Sequence, residues 1–191
     1  IERGWDGGLR PPADSDFLAV VDANVGFNKA NAAVQPAIDY RVVEAGGGLV
    51  ATATITFTHT APPGQEQVCD RTPRYGESYV EMVQRCYWSY LRIYAPGGSE
   101  LLETSGLKKP LSETGERGTA VFAGHFVLSP SQQHAVTVRY RLPPDLAQPY
   151  RLFVRKQAGT FATPLHVTAG ACAWDTDLSR DGTFTCPEPE R

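Results

Sequence analysis

The segment Leu49-Val-Ala-Thr-Ala-Thr-Ile-Thr-Phe-Thr-His-Thr60 decides the fold class. Leu49, Ala51, Ala53, Ile55, Phe57 and His59 alternate with Val50, Thr52, Thr54, Thr56, Thr58 and Thr60. Successive side chains of a pleated strand point to opposite faces, so this period of two reads as a strand with one buried face. Gly46-Gly47-Gly48 ahead of it supplies a turn, and Ala37 to Glu44, with Ile38, Tyr40 and Val42 on one side, supplies a hairpin partner. His134 to Leu142 repeats the alternation, with Val136, Val138, Tyr140 and Leu142 set against Thr137, Arg139 and Arg141.

Further strand segments are Phe17 to Asp22, Trp88 to Tyr94, Leu101 to Thr104, Thr119 to Leu128, Tyr150 to Lys156 and Leu165 to Ala169. Turn residues punctuate them at Pro96-Gly97-Gly98, Ser129-Pro130-Ser131, Pro143-Pro144-Asp145, Gly159 and Gly170. This pattern predicts an all-β fold, an immunoglobulin-like antiparallel β-sandwich forming a single domain over residues 1–191. One helix is expected near residues 79 to 86. Tyr75, Tyr79, Met82, Val83 and Cys86 fall on one helical face, Ser78-x-x-Glu81 has the form of a capping box, and the stripe is expected to pack down on the sandwich.

The chain has 191 residues, 41% hydrophobic and 20% charged, the composition of a globular protein able to bury roughly 70% of its unfolded surface. Its 18 glycines and 15 prolines imply many turns. The net charge of −3 argues against nucleic acid as a partner. The longest apolar run, Phe17 to Val21, is too short to cross a bilayer, so no transmembrane segment is expected in this fragment. The opening Ile-Glu-Arg-Gly-Trp has neither an initiator methionine nor a leader pattern and reads as part of a longer polypeptide.

Four cysteines, Cys69, Cys86, Cys172 and Cys186, form two local pairs without Cys-x-x-Cys or zinc-finger spacing. Three connectivities are possible. Loop closure favours near neighbours, and bridges Cys69–Cys86 and Cys172–Cys186 each contribute about 3 kcal/mol in the chain-entropy model. The helix then lies in a disulfide-closed loop, residues 171–191 form a C-terminal disulfide loop extension, and the compartment is oxidising.

Nucleophile-elbow, zincin, P-loop and dinucleotide fingerprints are absent, so no catalytic residue, cofactor or enzyme activity is expected. His59, His125, His134 and His166 lie in or beside predicted strands and read as structural. Asp177 to Glu188 matches the oxygen positions of a twelve-residue calcium loop, but Cys186 and Pro187 would disrupt its exiting helix, and no metal is assigned there. Three surfaces remain as binding candidates. Asn28 and Lys29 stand in a polar segment directly after a strand, where loops on a rigid scaffold carry function. Trp88, Tyr90, Arg92 and Tyr94 share one face of an extended segment, a row suited to stacking on sugar rings or a peptide unless the short helix covers it. Arg139, Arg141, Arg151, Arg155 and Lys156 make a basic stripe if their strands pair as a hairpin.

Gly4-Trp5-Asp6-Gly7, Asp16-Phe-Leu-Ala-Val-Val-Asp-Ala-Asn24 leading into Asn28-Lys29, Thr58-His-Thr60, and Tyr87-Trp-Ser-Tyr-Leu-Arg-Ile-Tyr-Ala-Pro-Gly97 resemble the C-terminal part of a bacterial domain-of-unknown-function family of exported, membrane-anchored proteins. The resemblance covers residues 1 to 157 and implies an extracytoplasmic location, secreted or held by an anchor upstream of this fragment. The expected role is a non-catalytic binding or structural domain of the cell envelope, with an envelope glycan or protein as partner. The alternatives are a carbohydrate-binding module using the aromatic row, and an accessory domain of an enzyme acting on an envelope polymer.

Overall fold

The computed structural model describes residues 8–63, 69, 78–146 and 148–187. Two six-stranded sheets pack face to face. The first runs β12 (Gly182–Thr185), β9 (Arg151–Arg155), β1 (Asp16–Asn24), β4 (Tyr87–Ala95), β7 (Ala120–Leu128), β6 (Lys108–Thr114). The second runs β11 (Cys172–Leu178), β10 (Thr163–Ala169), β2 (Val34–Ala45), β3 (Gly48–His59), β8 (Gln133–Arg141), β5 (Glu100–Ser105). The all-β sandwich read from the alternation is therefore present, and each strand segment named above coincides with an observed strand to within a few residues.

The sheets are mixed rather than purely antiparallel. β9 lies parallel to β1, and β10 lies parallel to β2, while the other pairings are antiparallel. The C-terminal third thus adds two strands to the same side of each sheet. Residues 171–191 were expected as an extension, yet Cys172–Leu178 and Gly182–Thr185 are the edge strands β11 and β12. The bridge Cys172–Cys186 ties one sheet's edge to the other's.

The core is the inward set from both sheets. Ala51, Ala53, Ile55 and Phe57 of β3 face Leu91 and Ile93 of β4 across it, all fully buried, while Thr52, Thr54, Thr56 and Thr58 are partly exposed on the outer face. One carboxyl lies among these side chains. Asp16, with no exposed surface, accepts hydrogen bonds at Oδ2 from the hydroxyls of Tyr40 (2.7 Å) and Tyr150 (2.5 Å), and at Oδ1 from the Phe17 N–H (2.7 Å). Tyr40 and Tyr140 are joined hydroxyl to hydroxyl at 3.0 Å, so the group links both sheets through the interior. Every acceptor lone pair met by a donor here offsets part of the cost of burying a carboxyl.

Helix α1 (Tyr79–Val83) falls within the expected range, and Ser78 Oγ accepts from the Glu81 N–H at 3.3 Å, one half of the capping box. The disulfide Cys69–Cys86 closes the loop that holds it. Its stripe packs down only in part: Tyr79 is largely exposed, Met82 and Val83 are partly covered, and Cys86 is buried. The helix leans on the 3-10 turn Ala30–Ala33, with Lys29 N–H donating to the Met82 carbonyl at 3.2 Å. Tyr75 lies outside the described residues.

Candidate functional site

The inner face of β1 carries Asp16, Leu18, Val20, Asp22 and Asn24 in succession. β9 accompanies β1 only from Asp16–Leu152 to Ala19–Arg155, and β10 joins β2 only from Ile38–Leu165 onward. Among the described residues, 20–24 of β1 and 34–37 of β2 therefore have no strand neighbour on that side. The connection from β9 to β10, residues 156–162, crosses from one sheet to the other over the gap. Beneath it is a cleft of about 1030 Å³. Val20, Val34, Ile38, Phe57 and Leu178 line its apolar part, continuous with the core, and Asp22, Lys29, Asn31, Gln35, Gln157 and Phe161 line its polar part and mouth.

Asp22 is the charged group closest to the interior here. Its carboxylate accepts from Ser89 Oγ at 2.5 Å and from the Tyr87 hydroxyl. Burial pushes its pKa above the usual carboxylate range, and the Ser89 and Tyr87 hydroxyls only partly offset this. The Tyr87 hydroxyl is itself held well above its ordinary value by burial and by the Asp22 charge, so it stays a neutral donor.

The roof is tied to β1 at Gln157 and braced within itself at Lys156. The Gln157 carboxamide accepts from the Asp22 N–H and donates to the Asp22 carbonyl, each at 2.9 Å, standing where a further residue of β9 would pair. Lys156 Nζ donates to the Thr160 carbonyl (2.7 Å), Thr160 Oγ1 (2.8 Å) and the Gln157 carbonyl (3.0 Å), closing a tight loop around Gly159 at φ +77°. A left-handed residue is needed there, and glycine adopts that conformation without a Cβ penalty. Two residues on, Phe161 is held out with 89% of its surface exposed.

The structure brings Asn28 and Lys29 to this cleft in different roles. Asn28 is buried; its Nδ2 donates to the Cys86 carbonyl (3.0 Å), and its Oδ1 accepts from the Ala30 N–H (3.0 Å) and Asn24 Nδ2 (3.0 Å). Its carboxamide is engaged in building the turn. Lys29 is exposed, and its ammonium has no partner among the described residues.

Trp88, Tyr90, Arg92 and Tyr94 do share one face of β4, but it is the outer face of the sheet, away from the cleft. Tyr94 is buried in a small cluster with Phe17, Ala19, Val121 and Ala123, against which Leu9 and Phe153 pack. Tyr90 packs on His125 with ring centres 4.8 Å apart, and the Arg92 guanidinium lies 5.7 Å from the Tyr94 ring centre. The short helix does not cover this row; the sheet's own outer side chains and Leu9 do. Trp88 and Tyr90 remain partly exposed.

The basic stripe does not form. β8 pairs with β3 and β5, and β9 pairs with β1 and β12, in different sheets. Arg139 and Arg141 instead stand opposite Glu103 and Glu100 of β5. The histidines hold structure: buried His59 accepts from the Ala61 N–H at Nδ1 (3.3 Å) and sits 3.0 Å from the Arg85 carbonyl at Nε2, while His134 stacks on Phe126. His166 and Asp175 meet at 2.6 Å on the outer face of the second sheet. Of the calcium-template residues, Asp177 and Leu178 end β11, Asp181 accepts from the Lys156 N–H (2.9 Å), and Glu188 lies outside the described residues.

Gln157 and Phe161 escaped the sequence reading because a loop side chain acquires its role only when the sheets are assembled. Asp22 did leave a signal: a carboxylate in register with inward-facing Leu18 and Val20. No family model, no curated protein and no solved structure matches the chain.

Proposed function

We propose that the chain is a non-catalytic binding domain of a bacterial cell-envelope protein, working outside the cytoplasm, and that its ligand seats in the cleft roofed by residues 156–162. The observation that carries this reading is the pairing of an apolar floor with convergent polar groups under a rigidly hydrogen-bonded roof, the usual make-up of a recognition site. Two disulfides accord with an oxidising compartment, and no helix among the described residues is long and apolar enough to cross a membrane. The resemblance to exported bacterial proteins points the same way.

The test is retention on envelope fractions, with the isotope-labelled chain then titrated with the retained material in NMR. The amides of Asp22, Asn31, Gln157 and Phe161 are expected to shift together. Absence of retention on every fraction, or shifts confined to the outer face of β4, overturns the reading.

A further inference from the structure

The occupant's chemistry can be narrowed, resting on the cleft reading just given. We propose that the cleft binds an acidic glycan, with a sugar ring laid on Phe161, its carboxylate met by Lys29 and its hydroxyls by Asp22 and Asn31.

Three observations converge. The first excludes an extended peptide added as a strand. Such a ligand needs free backbone groups on a sheet edge. The open stretch of β1 is already met at Asp22 by both polar atoms of Gln157, and the facing stretch of β2 contains Pro36, which has no N–H to give. Both edges beside the cleft are blunted, so recognition falls to side chains.

The second is the presentation of Phe161. An aromatic ring left 89% exposed at a cleft mouth forgoes most of the stabilisation that burial would give it. It is held out by the Lys156 and Thr160 bonds, which rigidify the residues before it. The electron-rich face of an aromatic ring attracts positively polarised hydrogens. The C–H face of a pyranose offers such hydrogens on a flat surface of matching size.

The third is the polarity of the walls. Lys29 offers an ammonium with no partner among the described residues, and among those residues the Asn31 side chain uses only its oxygen, accepting from Asn24 Nδ2 at 3.1 Å, and gives neither of its N–H donors to a partner. Donors concentrate on that turn, whereas Asp22, two residues from Asn24 along β1, is an acceptor. An apolar ligand would leave the Lys29 ammonium and the Asn31 N–H groups with neither water nor a ligand partner. A ring bearing a carboxylate and hydroxyls meets both the donors and the acceptor.

The test is calorimetric titration of the full chain with tetragalacturonate, a carboxylated oligosaccharide, and chitotetraose, a neutral one. Tetragalacturonate is expected to bind at least fivefold more tightly. Phe161→Ala should weaken it at least tenfold without altering the melting temperature, and Lys29→Gln should erase the preference between the two sugars. Silence towards both, equal affinity for both, or binding unchanged by the two substitutions overturns the proposal. Silence from both sugars together with cleft shifts from an envelope fraction defeats the glycan assignment alone; absence of cleft shifts from any fraction defeats the cleft reading as well.

Discussion

Asp16 and Asp22 point inward from the same strand and are served by the same kind of partner, yet they live in different surroundings. At the Asp16 end every strand of the interior is in place, and the carboxyl is enclosed by Tyr40 and Tyr150 with Tyr140 behind them. At the Asp22 end β9 has already left β1, and the carboxylate, bonded to Ser89 and Tyr87, borders the cleft. One arrangement locks two sheets together. The other leaves acceptor capacity where a ligand can reach it. Strand pairing, not side-chain type, makes the first a structural centre and the second a recognition group.

Removing each carboxylate separates the roles most strongly. At pH 5, Asp16→Ala leaves the Tyr150 hydroxyl and the Phe17 N–H without an acceptor, and Tyr40 without the carboxyl it bonds, in a sealed interior, and urea unfolding should show a loss of about 3 to 5 kcal/mol. Asp22→Ala frees Ser89 and Tyr87 beside a space that water can enter, and should cost about 1 to 2 kcal/mol. Equal losses at the two positions would mean that the Asp22 end is as closed as the Asp16 end.

The proton affinity of Asp16 gives a second contrast. Burial pushes its pKa up to about 6 against the lowering effect of Tyr150, Tyr40 and the Phe17 N–H. When protonated, the carboxyl can donate to Tyr40, which turns its own hydrogen towards Tyr140. The folded chain thus holds this proton more tightly than the unfolded chain, whose carboxyl titrates near 3.8. The associated stability is fully present below pH 3.8 and is lost as pH rises through about 6, a change of about 3 kcal/mol. Denaturation of the parent chain and of Asp16→Asn between pH 4 and 7 measures it. The difference between the two curves isolates Asp16 from Asp22, whose raised pKa acts in the same sense, and from His59, whose pKa burial lowers. Parallel curves would refute the assignment.

The same contrast explains what was legible in the sequence. β3 and β8 announce themselves because central strands with one buried face must alternate. β6 does not, because Lys108–Thr114 is exposed on both faces and nothing forces a pattern on it; β11 and β12 are edge strands with the same freedom. The parallel pairings are silent for another reason: β1 meets β9 and β2 meets β10 across most of the chain, and no local residue records a partner that distant. A short connection misled in one place. The segment from β8 to β9 looks like a hairpin loop but arches from one sheet to the other, which dispersed the basic stripe. The cleft was half visible, since the Asn-rich turn marks its wall, but its roof depends on where β9 ends.

That roof supplies the finest discrimination, because Gln157 and Phe161 sit on one short loop and should behave oppositely. Gln157→Ala removes two hydrogen bonds from the β1 edge at Asp22, in a place where water can replace them, so unfolding free energy should fall by about 1 kcal/mol. Phe161→Ala deletes a ring that is 89% exposed and should change stability by less than about 0.5 kcal/mol. Thermal melts of the two variants against the parent chain make the comparison. A loss of more than about 1 kcal/mol at Phe161 would mean that the ring packs on the protein, and a buried ring at the mouth would close the cleft instead of serving it.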